Sequence, residues 1–286
     1  MPTRRFLQLD VFAHAPGAGN PLAVMLDAEG LDEARMQAFA AWTNLSETIF
    51  FLPPTTAQAD YRVRIFTPVM ELPFAGHPSV GAAWAAVDAG LARPRAGRLV
   101  QECAAGLLPV RADQAGDALH PAVRSPRAQR RDLAAPDWLL ADTVFGARRG
   151  ALPPALWNNG PDWWLLELAD AAAVRGLRPD LGAIAALPGK GKLAVFAPGD
   201  GEADLVVRAF APGVGIPEDP ATGSVNALVA AALHRAGRLP GRGGRYLASQ
   251  GRELGRDARL RLEVDGDGEV WVGGPVQAVI RGTVDW

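Results

Sequence analysis

The sequence predicts an α+β protein with two pseudo-symmetric halves, each a curled, mostly antiparallel sheet around a central helix. Three observations lead to this fold class. Residues 59–68 (ADYRVRIFTP) and 203–212 (ADLVVRAFAP) repeat one pattern about half a chain apart. Each repeat is followed by a loop rich in glycine, proline and acidic residues, and then by an alanine-rich segment. The chain of 286 residues is long enough for two domains of ordinary size.

The two repeats have the side-chain period of β-strands. In the first repeat Tyr61, Val63 and Ile65 alternate with the residues between them. The alanine-rich segments, residues 80–89 and 225–236, are apolar on most faces and are therefore predicted to be buried helices. Strand–loop–helix units are common enough to coincide by chance. The two repeats nevertheless have the same residues at six positions, namely Ala, Asp, Val, Arg, Phe and Pro, in the same order and spacing. This agreement favours a duplication.

Weaker similarities extend the duplication along the chain. Residues 48–54 (TIFFLPP) resemble residues 193–199 (LAVFAPG). The stretch rich in proline and arginine at residues 120–136 is the predicted boundary. We therefore expect domains at 1–120 and 121–286, with the last strand as a candidate to cross to the first domain. Four alternating segments after the second helix predict an antiparallel sheet there: residues 245–251, 258–264, 269–274 and 276–282.

Composition excludes several classes of function. A hydrophobic fraction of 49% and a charged fraction of 21% are typical of a globular protein. The net charge is −2 and the 29 basic residues are spread along the chain, which argues against a nucleic-acid partner. Cys103 has no second cysteine to pair with, and no segment approaches the roughly 20 apolar residues of a membrane span. We expect a cytoplasmic protein with no membrane partner.

The motif NLSET at residues 44–48 contains the first candidate for chemistry. It follows a predicted amphipathic helix that starts near Asp32 and includes Trp42 on its apolar side, and it precedes an apolar strand. A carboxylate at Glu47, among apolar neighbours, is expected to have a raised pKa because desolvation disfavours the charged form. Glu47 could then exchange protons near neutral pH. The alternative is that Ser46 and Glu47 only form the turn after a helix.

The loops that precede the two buried helices contain the next candidates. In the first loop, Gly76 and His77 offer backbone N–H groups and a side chain that exchanges protons near neutral pH. In the second loop, Asp219 is followed by Thr222, and Gly223 and Ser224 then open the helix. Both loops could bind an anion. The alternative is that these residues merely cap their helices.

A fourth stretch, GNP, forms a predicted turn that contains Asn20, which serves either a ligand or the turn itself. Two modules that meet face to face would leave a cleft, where small-molecule sites tend to lie. The four histidines show no metal-ligand spacing, and the loop GAGN lacks a phosphate-loop lysine. No metal and no cofactor are expected. Trp157, Trp163 and Trp164 are expected in the core, with the wall of a cleft as the alternative.

Taken together, four motifs in order resemble the PhzF-like family of phenazine biosynthesis over nearly the whole chain: GNPLAVML, NLSETIFF, RIFTPVMELPFAGHPSVGAA and GIPEDPATGSVNALVAAAL. The resemblance implies a fold similar to diaminopimelate epimerase and, in many members, a homodimer. It also implies isomerisation of trans-2,3-dihydro-3-hydroxyanthranilate by a carboxylate, without metal or cofactor. Epimerases of this fold use a cysteine pair, and the corresponding loops of this chain have none.

The matching motifs assign roles by position. Glu47 takes the proton-transfer role, and His77 and Asp219 are the other residues of the catalytic set. The implied substrate contacts are Asn20, Ser46, Gly76, Gly223 and Ser224.

Three functions agree with this set. The leading expectation is an isomerase that acts by proton transfer on a small anionic, cyclic or unsaturated acid. A hydrolase or lyase on the same fold would use Glu47 to activate water or to eliminate a leaving group. A protein that only binds a small ligand would need the anion site but not a desolvated carboxylate, so the presence of Glu47, His77 and Asp219 favours an enzyme.

Overall fold

The computed structural model of this chain describes residues 2–115, 118–199 and 201–286. The strands in the described residues are β1 (Thr3–Val11), β2 (Asn20–Met25), β3 (Glu47–Leu52), β4 (Tyr61–Phe66), β5 (Glu71–Leu72), β6 (Arg98–Cys103), β7 (Gly106–Ala115), β8 (Ala118–Arg124), β9 (Gln129–Arg130), β10 (Thr143–Val144), β11 (Ala147–Arg148), β12 (Ala155–Asn158), β13 (Asp162–Glu167), β14 (Leu193–Pro198), β15 (Leu205–Ala211), β16 (Ile216–Asp219), β17 (Arg245–Gln250), β18 (Ala258–Val264), β19 (Val270–Gly273) and β20 (Val276–Asp285). The α-helices are α1 (Glu33–Thr43), α2 (Gly76–Asp88), α3 (Asp137–Leu140), α4 (Ala171–Arg175), α5 (Leu181–Ala185) and α6 (Gly223–Arg235). Among the described residues, no helix has the length and apolar character needed to cross a membrane.

The chain divides into two compact units. Met1–Arg124 and Gly273–Trp286 form the first unit, and Ser125–Val272 forms the second. The C-terminal strand β20 therefore belongs to the first unit, where it pairs antiparallel with β1. Alternation in the sequence predicts that residues 276–282 form a strand, but it does not reveal which strand is the partner.

The first unit is a sheet curled around α2. Its strands run in the order β20, β1, β2, β3, β4, β6, β7, β8, with the short β5 also paired to β4. The pairs β2–β3 and β4–β6 are parallel, and helices α1 and α2 make the two crossovers that parallel pairs require. Helix α2 packs against β1, β2, β3, β4, β6, β7 and β8, so it forms the centre of this unit.

Small residues allow α2 to occupy this central position. Its alanines at 82, 83, 85 and 86 are buried, and a Cβ at Gly81 would lie only 2.4 Å from Leu22 Cδ2 of β2. The helix therefore lies closer to the sheet than larger side chains would permit. After the helix, Gly90 has φ of 69°, a left-handed conformation that glycine adopts without strain.

The second unit has the same order of pairings. Its strands run β9, β12, β13, β14, β15, β17, β18, with β16 also paired to β15. The parallel pairs are β13–β14 and β15–β17, with α4 and α5 in the first crossover and α6 in the second. Helix α6 packs against β18 and is buried along most of its length.

The strand registers confirm the duplication that the sequence predicts. In the first unit Thr48 of β3 pairs with Phe66 of β4, and in the second unit Leu193 of β14 pairs with Phe210 of β15. Phe66 and Phe210 occupy the same position of the sequence repeat, so Thr48 and Leu193 are equivalent. The weaker similarity of residues 48–54 to residues 193–199 therefore reflects equivalent strands.

Two details of the predicted helices were wrong. Helix α2 begins at Gly76, four residues before the predicted alanine-rich segment, because Pro78 in a first turn needs no intrahelical N–H bond and so does not delay the start. Helix α6 begins at Gly223, two residues before its alanine-rich segment and at the residue expected to open it. Trp42 was predicted on the apolar side of α1 but is 72% exposed. Its ring lies at the end of the helix against Trp286, with 6.2 Å between ring centroids. Trp157, Trp163 and Trp164 are buried, as expected of core residues.

Candidate active site

Glu47 opens the strand β3 of the first unit. The strand is held between β2 and β4, and Ile49 and Phe50 that follow Glu47 are fully buried. Because these side chains anchor β3 in the core, the backbone at Glu47 is fixed. The Glu47 side chain is 18% exposed, so it lies at the edge of the core with limited access to solvent.

The structure brings Glu47 and His77 together. Glu47 Oε2 lies 3.2 Å from Nδ1 of His77, the second residue of α2. The two residues are 30 positions apart in the sequence and meet because α2 packs against β3. A carboxylate and an imidazole at this separation can share the work of moving a proton.

His77 is buried and neutral. Burial lowers the pKa of His77 to about 3, and a hydrogen bond to the backbone of Pro21 opposes that shift only in part. At neutral pH the ring is therefore an uncharged imidazole, and the expectation from residue type that His77 changes its protonation near neutral pH was wrong, because burial disfavours the charged ring. Among the described residues, no atom hydrogen-bonds to the buried His77 Nε2.

The other residues assigned to this half lie on neighbouring elements. Asn20 is the first residue of β2 and is buried, and β2 runs parallel to β3 with Leu22 opposite Glu47. Gly76 opens α2 beside His77. Ser46 precedes β3 and is exposed. All four predicted residues of the first half, with Glu47 itself, therefore belong to the ends of β2, β3 and α2.

A buried carboxylate that the sequence analysis did not identify stabilises the turn before Asn20. The backbone N–H of Gly19 donates to Oδ2 of Asp10, a carboxylate that is only 2% exposed, at 3.0 Å. A Cβ at Gly19 would lie 2.1 Å from the carbonyl oxygen of Val11, so the turn requires glycine. An acidic residue at the apolar end of a strand is the signal that could have identified Asp10.

In the second unit a buried glutamine organises the loop that contains Asp219. Thr222 Oγ1 donates to Asp219 Oδ2 at 2.6 Å. Gln250 Nε2 donates to the Asp219 carbonyl oxygen at 2.9 Å and to Thr222 Oγ1 at 3.0 Å, and its Oε1 accepts from Thr222 N at 3.1 Å. Asn226 Nδ2 also donates to Gln250 Oε1, at 2.9 Å. Gln250 and Asn226 are each only 1% exposed, so this network holds Asp219 in one arrangement.

The start of α6 is fixed from a second side. Gly223 is the first residue of α6, and Ser224 follows it. Asn159 Nδ2 donates to the Ser224 carbonyl oxygen at 3.0 Å and to Ser125 Oγ at 3.1 Å. Asn159 is 4% exposed. The sequence analysis did not identify Gln250, Asn226 or Asn159. A polar residue next to a strongly apolar segment is the only sequence signal that could have pointed to them.

Each half presents donors at a helix start. Neither Ala75 before α2 nor Thr222 before α6 caps its helix with a side chain, and the first N–H groups of a helix lack intrahelical partners. Such groups bind carboxylates and other anions. Among the described residues, no cluster of three or more histidine, cysteine or acidic side chains is arranged to hold a metal. The first N–H groups of α2 lie beside the Glu47–His77 pair, and those of α6 follow the fixed carboxylate of Asp219.

Comparison with known proteins identifies the family. The sequence pattern of phenazine biosynthesis-like proteins, PhzC-PhzF, matches residues 9–282. This chain belongs to the PhzF family. Antisense-enhancing sequence 1 of Schizosaccharomyces pombe is 33% identical, with 99% of both chains covered. The trans-2,3-dihydro-3-hydroxyanthranilate isomerase of Pseudomonas aeruginosa is 36% identical, with 93% of this chain and 92% of that protein covered.

Solved structures agree with the family assignment. The crystal structure of the PhzF-family protein of Bacillus anthracis matches with a TM-score of 0.84 at 24% identity, and 100% of each chain is covered. The predicted α+β, diaminopimelate epimerase-like fold is thus confirmed. Several PhzF relatives of this chain are named isomerases, and the protein is an isomerase of the PhzF type.

Proposed function

We propose that this PhzF-family protein moves a proton on a small anionic, cyclic or unsaturated acid, without a cofactor and with Glu47 as the acid/base. The proposed reaction is similar to that of the trans-2,3-dihydro-3-hydroxyanthranilate isomerases among its relatives. The observation that carries the proposal is the pair formed by Glu47 Oε2 and His77 Nδ1, 3.2 Å apart at the start of α2. A carboxylate beside a neutral imidazole, next to free helix donors, is suited to proton transfer on an acid.

The proposed step is an allylic proton shift. A carboxylate oxygen of Glu47 takes a proton from a carbon of the substrate, and the electron pair of that C–H bond forms a new C=C bond. The electrons of the former C=C bond then form a C–H bond at the far carbon, with the proton that Glu47 returns. Atoms and electrons balance, so no oxidant, reductant or group donor is required.

The remaining predicted residues take supporting roles in this proposal. His77 is the second proton-transfer group, since its buried Nε2 has a lone pair available to a substrate N–H or O–H. Asp219, fixed by Thr222, contacts a polar group of the substrate. Backbone N–H groups at the start of α2, beside Glu47 and His77, bind the substrate carboxylate. The substrate contacts proposed from the family motifs are Asn20, Ser46, Gly76, Gly223 and Ser224.

The test is proton NMR of the purified protein with trans-2,3-dihydro-3-hydroxyanthranilate in deuterated water. Wild type should isomerise the substrate and incorporate deuterium, because Glu47 exchanges its proton with solvent. Glu47→Gln should reduce the rate by about 10²–10⁴-fold, the usual contribution of a general acid/base. Glu29→Gln, which changes an exposed carboxylate, is the matched control and should behave as wild type.

The same spectra discriminate the alternatives. A lyase would release a leaving group into solution, and a hydrolase would give two products. A binding protein would shift ligand resonances without turnover in wild type or in Glu47→Gln. Isomerisation that persists at the wild-type rate in Glu47→Gln would reject Glu47 as the acid/base while leaving the isomerase assignment intact.

We also propose a homodimer, which rests on the family resemblance. The long strand β20 pairs with β1 and exposes two apolar side chains, Val279 and Ile280, each 48% exposed. Light scattering at micromolar concentration should give about twice the chain mass of 30.1 kDa. A single-chain mass would reject the dimer. The cytoplasmic location and the absence of cofactor and nucleic acid stay predictions.

A further inference from the structure

A buried threonine follows Glu47 in the strand β3. Thr48 is fully buried, and a hydroxyl group in the core costs free energy unless it has a hydrogen-bond partner. The hydroxyl oxygen of Thr48 lies 2.9 Å from that of Thr43, the last residue of α1. The two side chains therefore form a hydroxyl bridge across the loop at residues 44–47, which ends in Glu47.

A third group determines the direction of the bridge. The hydroxyl of Thr43 donates to the carbonyl oxygen of Ala40 at 3.1 Å. Because a hydroxyl group has a single proton, Thr43 accepts in the bridge and Thr48 donates. The backbone N–H of Asn44 donates to the same carbonyl oxygen at 3.2 Å, and Asn44 has the left-handed conformation that ends many helices. The bridge thus ties the start of β3 to the last turn of α1.

The second unit shows that this strand position does not need a hydroxyl group for folding. Leu193 is equivalent to Thr48, as the strand registers establish. Both residues are fully buried. A leucine cannot form a hydrogen bond with its side chain, so the strand pairing is compatible with an apolar residue here. The hydroxyl bridge belongs to the half in which Glu47 lies beside His77.

The bridge closes the loop that brings Glu47 to His77. Glu47 Oε2 lies 3.2 Å from Nδ1 of His77. Glu47 is the first residue of β3, so the strand continues on one side of it only. On the other side the chain passes through the exposed Ser46 towards α1. A displacement of about 1 Å at a reacting group can cost about 100-fold in rate, so the restraint on this loop affects the chemistry.

We propose that Thr48 is a positioning residue that holds the Glu47 carboxylate against His77 through its hydroxyl bridge to Thr43. The inference deepens the proposed function and rests on it for the reaction. Thr48 restricts the loop at residues 44–47 and takes no part in the proton transfer itself.

The kinetic test removes the hydroxyl group and keeps the shape of the side chain. Thr48→Val should lower kcat by about 10–100-fold and leave KM unchanged, because a misplaced reacting group mainly affects the transition state. Thr43 keeps its bond to Ala40 in this variant, so no buried polar group loses its partner and the melting temperature should stay that of wild type. Thr48→Ser, which keeps the hydroxyl, should restore kcat. Thr143→Val, at an exposed threonine of β10, is the matched control.

A double-mutant cycle determines whether the two threonines act together. If they form one bridge, Thr43→Val in a Thr48→Val background should cause no further loss of kcat, because residues in contact have effects that are not additive. Fully additive losses, or a Thr48→Val variant with the kcat of wild type, would overturn the proposal.

The nitrogen NMR signals of the His77 ring separate this inference from the proposed reaction. The chain has four histidines, so His77→Asn assigns the signals by their loss. Glu47→Gln should shift the Nδ1 signal, because the carboxylate lies beside that nitrogen, and Thr48→Val should shift it in the same direction. If wild type does not isomerise the substrate but this shift is present, the proposed reaction fails and the positioning role stands. An unchanged His77 signal in Thr48→Val would overturn the positioning role whether or not wild type is active.

Discussion

The two units share one backbone plan but carry opposite charges at equivalent strand positions. In the first unit β3 begins with Glu47, and in the second unit the equivalent residue is Lys192, because the residues that follow them, Thr48 and Leu193, pair with Phe66 and Phe210. The short strands before the two buried helices also differ, since Leu72 of β5 pairs with Ile65 and Asp219 of β16 pairs with Ala209. The duplication therefore preserves the backbone arrangement, which we call the shared frame, but not the chemistry of the side chains. The positions at which the two halves differ are the ones that indicate function.

An ion pair behind each loop belongs to the shared frame. Arg64 binds Glu71 with Nε to Oε1 at 2.7 Å, and Arg208 binds Glu218 in the same geometry at 2.8 Å. Both pairs are bidentate, which fixes the loop relative to the strand that precedes it. The pairs differ in burial, since the side chain of Arg64 is 22% exposed and that of Arg208 is 5% exposed.

A second feature of the frame joins the repeat to the strand after the helix. Asp60 Oδ2 accepts the N–H of Val100 at 2.7 Å, and Asp204 Oδ2 accepts the N–H of Leu247 at 2.8 Å. The backbone N–H groups of the two aspartates donate in return to the carbonyl oxygens of Val100 and Leu247. The AD dipeptide at the start of each repeat therefore marks this reciprocal contact.

The helix starts show the difference between the halves most clearly. His77 and Ser224 are equivalent second residues of α2 and α6. We expect His77→Asn to reduce the isomerisation rate by about 10²–10⁴-fold, as loss of a proton-transfer group does. Ser224→Ala should cost about tenfold or less and act mainly on KM, because the helix N–H groups remain. Initial rates at saturating and limiting substrate measure both effects.

The result that contradicts this contrast is a larger loss of kcat in Ser224→Ala than in His77→Asn. Proton transfer would then belong to the second half. Circular dichroism melting curves of both variants are the control for folding.

The buried ion pair should matter more than its exposed counterpart. Arg208→Met leaves Glu218 buried and unpaired, and breaking such a pair typically costs about 3–5 kcal/mol. Arg64→Met, at the partly exposed pair with Glu71, should cost about 1 kcal/mol or less. Urea denaturation gives both free energies of unfolding. Equal losses would show that burial does not distinguish the two pairs.

The smallest expected effect is the pH dependence that the buried side chain of His77 gives to stability. The pKa of His77 is about 3 in the folded chain and about 6.5 when unfolded. Between these values the unfolded chain binds the proton and the folded chain does not. The free energy of unfolding contributed by His77 is therefore complete above about pH 6.5 and falls as pH decreases towards about 3, by up to about 1.4 kcal/mol per pH unit.

Urea denaturation of wild type and His77→Asn at about pH 7 and about pH 4.5 measures this contribution. The variant should show the weaker dependence on pH, because asparagine does not titrate. His234→Asn, at an exposed histidine of the second unit, is the control and should follow wild type. A variant as pH-sensitive as wild type would mean that His77 is not the titrating group.

The local features of the site could be predicted because they are short motifs. NLSET identified Glu47 and Ser46, GHP identified His77, and EDPATGS identified Asp219. A raised pKa of Glu47 and the roles of these residues stay predictions. The supporting residues were not predictable, since Asp10, Gln250 and Asn159 act through partners far away in the sequence, and nothing in their own neighbourhood reveals those partners.

The sequence by itself determined the duplicated α+β plan, the two buried helices and the motifs at their starts, because alternation, alanine content and turn residues are local properties. The tertiary structure decided which residues meet. It brought Glu47 within 3.2 Å of His77, paired β20 with β1, and made Lys192 the counterpart of Glu47. The physical reason is that strand register and helix packing depend on complementary surfaces from segments that are distant in the sequence. A pattern within one segment does not specify which other segment it will pack against.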